Sequence, residues 1–374
     1  MKVIAFYLPQ FHETSENDEW WGKGFTEWVN VKKAQPLFTG HYQPRVPEDN
    51  NYYCLLDPAV MSWQADMARK NGVYGFCFYH YWFDGHMLLQ KPMEIFLSHP
   101  EIDIHYCISW ANESWTNAWV SSNSKTLIAQ KYGDERNWKE HFDYLLPFFC
   151  DPRYIKINGK PLFILYRPEI VDCLNPMLDY WQILAKKAGL PGLSFAYQYP
   201  TFALQAHKDD SRFDYQIQYE PAYERELIKK KSLFHRIKSN MNSISDKYLH
   251  KSFDLSSLRK GTGPLKFNYD NTWNEILDIG PENEKSIPGA FVDWDNTPRR
   301  GAAGSVEVGA SPEKFKKYFK QQVLNTRNKY HKDMIFIFAW NEWAEGGYLE
   351  PDEKYKDGYL RSIKEVLYET NEME

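Results

Sequence analysis

The sequence predicts a single-domain (β/α)8 barrel, the TIM-barrel architecture, with one long insertion late in the chain. Three observations carry that expectation. Eight short apolar runs recur along the 374 residues, helix-period stretches separate several of them, and the first run leads into Pro9-Gln-Phe-His12, where a doubly wound sheet usually has a Gly-rich phosphate turn.

The runs, each bounded by turn signals, span 3–7 ("VIAFY"), 74–79 ("YGFCFY"), 103–109 ("DIHYCIS"), 161–166 ("PLFILY"), 193–198 ("LSFAYQ"), 214–219 ("DYQIQY"), 290–293 ("AFVD") and 334–339 ("MIFIFA"). Helical periodicity predicts helices over 58–70, 135–149, 176–188, 312–327 and 354–369. Two connections are long. Residues 10–57, with "DEWWGKGFTEW" and "GHYQPRVPEDNNYY", are too aromatic for a linker and are expected to fold over the active face. Residues 221–287 form the predicted insertion in an otherwise continuous catalytic barrel over 1–374, and their stretch "ELIKKKSLFHRIKSNMNSISDKYLHKS" is basic. It reads as a solvated insertion, with a contact for an acidic polymer or a membrane surface as the alternative.

Composition narrows the function. Aromatics make up 17%, with 14 Trp, 26 Tyr and 23 Phe, more rings with polar tips than a core calls for, so some are expected to line a binding surface. A formal net charge of −5 gives no global attraction to nucleic acid, and no nucleic-acid partner is expected. The five cysteines are odd in number and lack CxxC spacing, which argues against a disulfide framework and a structural zinc site. No run of 18 apolar residues predicts a membrane-spanning helix. The start "MKVIAFYLPQFH" lacks the apolar core of a signal peptide, so the expected location is cytoplasmic if Met1 is the native start, and periplasmic or extracellular if a leader was removed.

In a barrel, residues just after each strand meet at one mouth. There the sequence places Tyr7, Gln10 and His12; Tyr79, His80, Trp82 and Asp84; Trp110, Asn112, Glu113 and Trp115; Tyr166 and Arg167; Tyr197 and Gln198; Gln218 and Glu220; Asp293, Trp294 and Asp295. The last strand adds Trp340, Asn341, Glu342, Trp343 and Glu345. Such a mouth suits a sugar, whose C–H faces stack on rings and whose hydroxyls bond to carboxylates and amides. Glycosidic cleavage needs one carboxyl held protonated and a second ionised group, and aromatic surroundings raise the pKa of the desolvated acid. If 341–346 make a helical turn, Glu342 and Glu345 share a face, and Gly346-Gly347 free the turn that follows. The blander alternative is a solvated acidic helix start. Glu113, in the second Asn-Glu pair, is either a catalytic partner or a ligand anchor. His80, His86, Asp84 and Glu113 lack metal-ligand spacing, so neither metal nor cofactor is expected. Arg299 and Arg300 are candidates for clamping a carboxylate, sulfate or phosphate, with an exposed turn pairing as the alternative.

The segments "AFYLPQFH", "WGKGFTEW", "GFCFYHYWF", "SWANESW" and "AWNEWAEGGYLEP" resemble, in order, those of the WbsX-like proteins, a group related to glycoside hydrolase family 99; the likeness runs from residue 4 to about 360. The resemblance implies a (β/α)8 barrel acting on α-mannosidic linkages inside a glycan, with retention of configuration. The family 99 motif Trp-Asn-Glu-Trp-x-Glu-Gly matches residues 340–346. By that likeness Glu342 would assist the substrate's own 2-hydroxyl in attacking the anomeric carbon, giving a 1,2-anhydro sugar, and Glu345 would be general acid and then base. WbsX-like sequences commonly accompany polysaccharide biosynthesis (lipopolysaccharide O-antigen or capsule) and have been labelled glycosyltransferases. The expected function is therefore a glycoside hydrolase or transglycosidase acting on an oligosaccharide or polysaccharide. The alternatives are a nucleotide-sugar-dependent glycosyltransferase, for which Asp293-Trp-Asp295 has the bare DxD spacing, and a non-catalytic carbohydrate-binding protein.

Overall fold

The structure, a computed structural model, describes residues 1–117, 125–199, 209–231 and 263–373. Nine parallel strands form its centre: β1 (Lys2–Tyr7), β2 (Val73–Phe83), β3 (His105–Trp110), β4 (Lys160–Leu165), β5 (Ser194–Tyr199), β6 (Tyr215–Gln218), β7 (Ser286–Ile287), β8 (Gly289–Phe291) and β9 (Met334–Phe338). The strands from β1 to β6 pair in chain order, β7 pairs β6, β8 pairs β9, and β9 returns to β1. β7 and β8 are thus two halves of one run, split at Pro288, which has no amide hydrogen to give to a ladder. Counted as one stave they make eight, and the barrel closes through them. The seventh predicted strand, 290–293, belongs to this run but starts four residues earlier, because Pro288 and Gly289 read as a break.

The strands are almost wholly buried, as β1 with only Lys2 outside the buried run illustrates. Both faces are covered, the inner by barrel packing and the outer by helices. Helices α1 (Ser15–Trp21) and α2 (Glu27–Lys33) lie in the long loop after β1; α3 (Pro58–Lys70), α4 (Lys91–Ser98), α5 (Glu135–Cys150), α6 (Leu174–Lys187), α7 (Ala222–Lys231) and α8 (Tyr269–Asp278) follow. The short α9 (Thr297–Arg300) precedes α10 (Pro312–Asn328) and α11 (Gly358–Glu369). Four of the five predicted helices agree to within two residues. α3 is fixed by Pro58 at its first turn and by Asp57, whose side chain accepts from Ala59 N. The last helix starts at Gly358 rather than 354, because Asp352 takes the amides of Tyr355 and Lys356 into a turn.

The predicted insertion needs correction at both ends. α7, a strand at Leu265–Asn268 paired with Ser305–Val308, and α8 all fall within 221–287. Trp273 of α8 is fully buried and stacks on Phe291 of β8 with ring centroids 5.2 Å apart, so this part is barrel wall. Residues 232–262, most of the basic stretch, lie outside the described residues. Among the described residues no helix is long and apolar enough to cross a membrane.

Candidate active site

The chain leaves β9 through a tight hairpin rather than the expected helical turn. Asn341–Glu342 pairs antiparallel with Gly347–Tyr348, and Trp343–Glu345 makes a single 3-10 turn between them. Gly346 sits at φ 72°, and a Cβ there would lie 2.8 Å from the Asp295 amide nitrogen. A Cβ on Gly347 would overlap the Phe338 ring, so this glycine serves packing rather than backbone freedom.

Four clasps hold the hairpin. Asn341 accepts from Leu8 N at 2.7 Å and donates to Leu8 O at 3.0 Å, tying it to the end of β1. The Trp340 and Trp343 indoles donate to Glu350 at 3.1 and 2.6 Å; Glu350 also accepts from Gln64 and Tyr53 at 2.7 and 2.8 Å. Arg45 donates to Gly346 O at 3.2 Å and is itself fixed by Asp293 at 2.7 Å. The Asp295 amide donates to Glu345 O at 2.6 Å.

Glu342 and Glu345 face a cavity of about 550 Å³ at the carboxyl ends of the strands. Its wall includes Tyr79 and Tyr81 of β2, Glu113, Trp115, Tyr166, Tyr219 and Trp294 from later strand ends, and Trp21, Phe25 and Glu27 from the loop after β1. At the floor one guanidinium meets three carboxylates. Arg299 donates Nη1 to Glu345 at 2.7 Å and Nη2 to Glu342 at 3.2 Å. It also donates Nε and Nη2 to the two oxygens of Glu27 at 3.0 and 3.1 Å.

All three acids are buried, and with every one ionised the cluster would carry −2. Burial raises the pKa of both Glu342 and Glu345; Arg299 opposes the rise, while Glu27 adds to it, as does Glu345 for its neighbour. Across the cavity Glu113 pairs with Arg167 at 3.1 Å, and burial raises it against the pull of that arginine. The site therefore holds carboxyls able to keep a proton near neutrality beside groups that stabilise negative charge.

Of the fourteen expected site residues, five line the cavity: Glu342, Glu345, Glu113, Trp115 and Trp294. The other nine lie behind its wall, for reasons of strand parity and local clasping. Tyr79 and Tyr81 face in, so His80 and Trp82 face out. There His80 meets His141 at 2.9 Å, and Trp82 stacks on the same ring. Tyr7 faces α3 and donates to Gln64 at 2.7 Å, leaving the cavity to Leu8. Trp110 gives its indole hydrogen to Trp82 O, and Tyr197 bonds to Gln216. Asn112 bridges to the backbone of Arg167, as Asn341 does to that of Leu8. Trp340 and Trp343 are spent on Glu350.

Asp293 and Asp295 also lie off the wall. Asp293 is held by Arg45, and Asp295 by His41, Gln43 and Thr297. Arg299, one of the two candidate anion clamps, clamps the paired glutamates. Sequence reading missed Glu27 and Glu350 as site residues. Their motifs were visible, but their partners are far off: Glu27 meets Arg299 across 272 positions and Glu350 meets Gln64 across 286.

The family model described as "Glycosyltransferase WbsX" matches residues 3–363. The chain belongs to the WbsX family. Two curated relatives from Xanthomonas campestris pv. campestris, each named "Uncharacterized protein WxcX", are 31% identical over 98% of this chain. The chain spans about half the length of the curated relatives it matches, 49% of each. Among solved structures, a family 99 (GH99) endo-alpha-mannosidase from Bacteroides thetaiotaomicron is similar at TM-score 0.53 and 14% identity, over 99% of this chain and 98% of that one. A "Glycoside hydrolase-like protein" is similar at TM-score 0.56 and 14% identity, over 98% and 93%. These likenesses give the WbsX-family chain a barrel of the family 99 kind.

Proposed function

We propose that this WbsX-family chain is a retaining glycoside hydrolase or transglycosidase acting on a cell-surface or mannose-type glycan, with Glu342 and Glu345 as its catalytic pair. The observation that carries the reading is that both glutamates leave one hairpin for the floor of one aromatic cavity and share a single guanidinium there. Acids on the same hairpin fit badly with attack from opposite faces of a sugar ring, and better with a nucleophile supplied by the substrate. In that scheme Glu342 takes the proton of the 2-hydroxyl while its oxygen attacks the anomeric carbon. Glu345 gives a proton to the departing oxygen. Water or an acceptor hydroxyl then gives its proton to Glu345 and opens the 1,2-anhydro ring at the anomeric carbon, and Glu342 returns the first proton to the 2-oxygen. An acceptor hydroxyl in place of water makes the same site a transglycosidase, which suits a family named for sugar transfer.

A nucleotide-sugar donor fits less well. Among the described residues the cavity wall carries five glutamates (Glu27, Glu113, Glu226, Glu342, Glu345) against three arginines (Arg225, Arg299, Arg300), so a diphosphate meets no net positive charge from them. Trp115 and Trp294 are the wall's proposed sugar platforms, and Glu113 a proposed hydroxyl anchor. The test is turnover of mannose-containing and bacterial surface polysaccharides by wild type, Glu342→Gln and Glu345→Gln. Loss of a positioned general acid or base costs about 10²–10⁴-fold. A fully active Glu345→Gln protein would sink the assignment.

A further inference from the structure

We infer that Glu27 and Arg299 form a positioning pair that keeps one proton on the Glu342–Glu345 couple: Arg299 fixes both carboxyls, and Glu27 cancels the charge that would otherwise strip the proton away. The inference rests on the catalytic reading of Glu342 and Glu345, and it adds a third acid that the reading does not need.

The geometry makes the division of labour specific. Arg299 turns its Nε and one Nη2 hydrogen on Glu27 in a side-on, two-point pair, and gives the catalytic acids one hydrogen bond each. Glu27 takes a further bond from Asn30 Nδ2 at 2.8 Å, so it is used as an acceptor throughout, as an ionised carboxylate is. It stands at the first position of α2, whose amide donates to Gln10 O, and it is held on the cavity wall from outside the hairpin. A lone buried guanidinium beside two carboxyls would pull both towards the ionised form. With Glu27 across it, the arginine still orients both acids but offers them little net charge. Burial and mutual repulsion then keep the pair one proton short of full ionisation.

Other groups face the couple from every side. Arg300, next in α9, pulls Glu345 downward. The phenols of Tyr79, Tyr81 and Tyr219 lie close enough to Glu342 to feel its charge, and Tyr166 feels that of Glu345. All four phenols are themselves pushed upward, so they stay neutral through the range where the glutamates titrate.

Two variants give opposite signs. Glu27→Gln removes one negative charge and frees the arginine, so the couple should titrate lower by about one pH unit or more. Arg299→Met removes the cation that bonds to both acids, so the couple should titrate higher. The readout needs no substrate: the infrared C=O band of protonated carboxylic acid is followed against pH in the full chain, and assigned by its loss in Glu342→Gln and Glu345→Gln. The alkaline limb of the pH–rate profile on any cleaved glycan should move the same way.

A side chain that only props up the hairpin would lower the rate or the melting temperature in both variants without moving the titration in opposite directions. Unmoved or same-direction titrations would overturn the inference while leaving the catalytic assignment to the Glu345→Gln test. If Arg299→Met does not fold, Arg299→Lys keeps the charge and loses the fork: retained titration with impaired turnover supports the pairing, and a titration that rises as though the charge were gone overturns it.

Discussion

Glu350 offers the sharpest stability test, because it anchors the hairpin that carries Glu342 and Glu345 while staying off the cavity wall. Burial pushes it up from 4.5 to about 7, even though Trp343, Gln64, Tyr53 and Trp340 all donate to it. A carboxyl raised on folding holds its proton more tightly in the folded state. Its contribution to stability is therefore complete below the unfolded value and is lost as pH rises through about 7. Between pH 5 and pH 8 that loss is about 2–3 kcal/mol for values of this size. With an unfolding entropy of about 0.8 kcal/mol/K for a chain this long, it amounts to roughly 3 °C. The perturbation is Glu350→Gln, which keeps the volume, cannot titrate, and turns an amide NH₂ towards two of the four donors. Its melting temperature should be lower than wild type at pH 5, with the gap narrowing by about 3 °C by pH 8. Comparison with wild type at each pH removes the titration of the other acids from the difference. A gap that is constant from pH 5 to pH 8 would refute the reasoning.

Three further outcomes are expected. Gly346→Ala forces a left-handed position and brings a Cβ within 2.8 Å of the Asp295 amide, so urea unfolding should report a loss of about 1–3 kcal/mol. Turnover should fall further than that loss explains, because Glu345 is the preceding residue. Asn341→Ala leaves a buried Leu8 amide without its acceptor at a cost of about 1–3 kcal/mol; unfolding that matches wild type would mean the clasp is unimportant. Trp294→Ala should raise KM on a cleaved glycan by tenfold or more while kcat changes less, as removal of a binding platform does; an equal fall in kcat would instead place it in the chemistry.

Much of the barrel was legible because parallel strands buried on both faces leave a signal that does not depend on their partners: a short, nearly unbroken apolar run. The signal failed where backbone chemistry interrupted a run. Pro288-Gly289 looks like a loop yet sits inside the stave that closes the barrel, and α8 went unseen because a mainly basic stretch beside it coloured the whole of 221–287 as insertion. At the site, the carboxylates were legible and the pairings were not. Sequence order puts Glu342 beside two tryptophans, but it cannot tell that both indoles are turned away towards Glu350, or that the charge beside the acids arrives with Arg299 and Glu27 from opposite ends of the chain. Strand parity could have removed two of the nine misplaced residues. In "FYHYWF" the residues alternate, so a reading that placed Tyr79 in the mouth had already placed His80 outside it.

Local clasping, not parity, explains why the segment from Trp340 to Gly347 is so distinctive when only two of its eight residues reach into the cavity. Trp340 and Trp343 carry the hairpin to Glu350, and Asn341 carries it to Leu8. Gly346 lets the backbone reverse, and Gly347 lets it press on Phe338. Every one of those contacts is buried, so a change in any of them moves Glu342 or Glu345 before it alters the chemistry of either. A displacement of about 1 Å in a reacting group is enough to cost roughly 10²-fold in rate. Substitutions on the buried side of the hairpin should therefore look catalytic in an activity screen while leaving the infrared titration of the couple in place. Substitutions of Glu27 or Arg299 should move that titration, which separates the residues that hold the acids in position from the pair that decides where the proton rests.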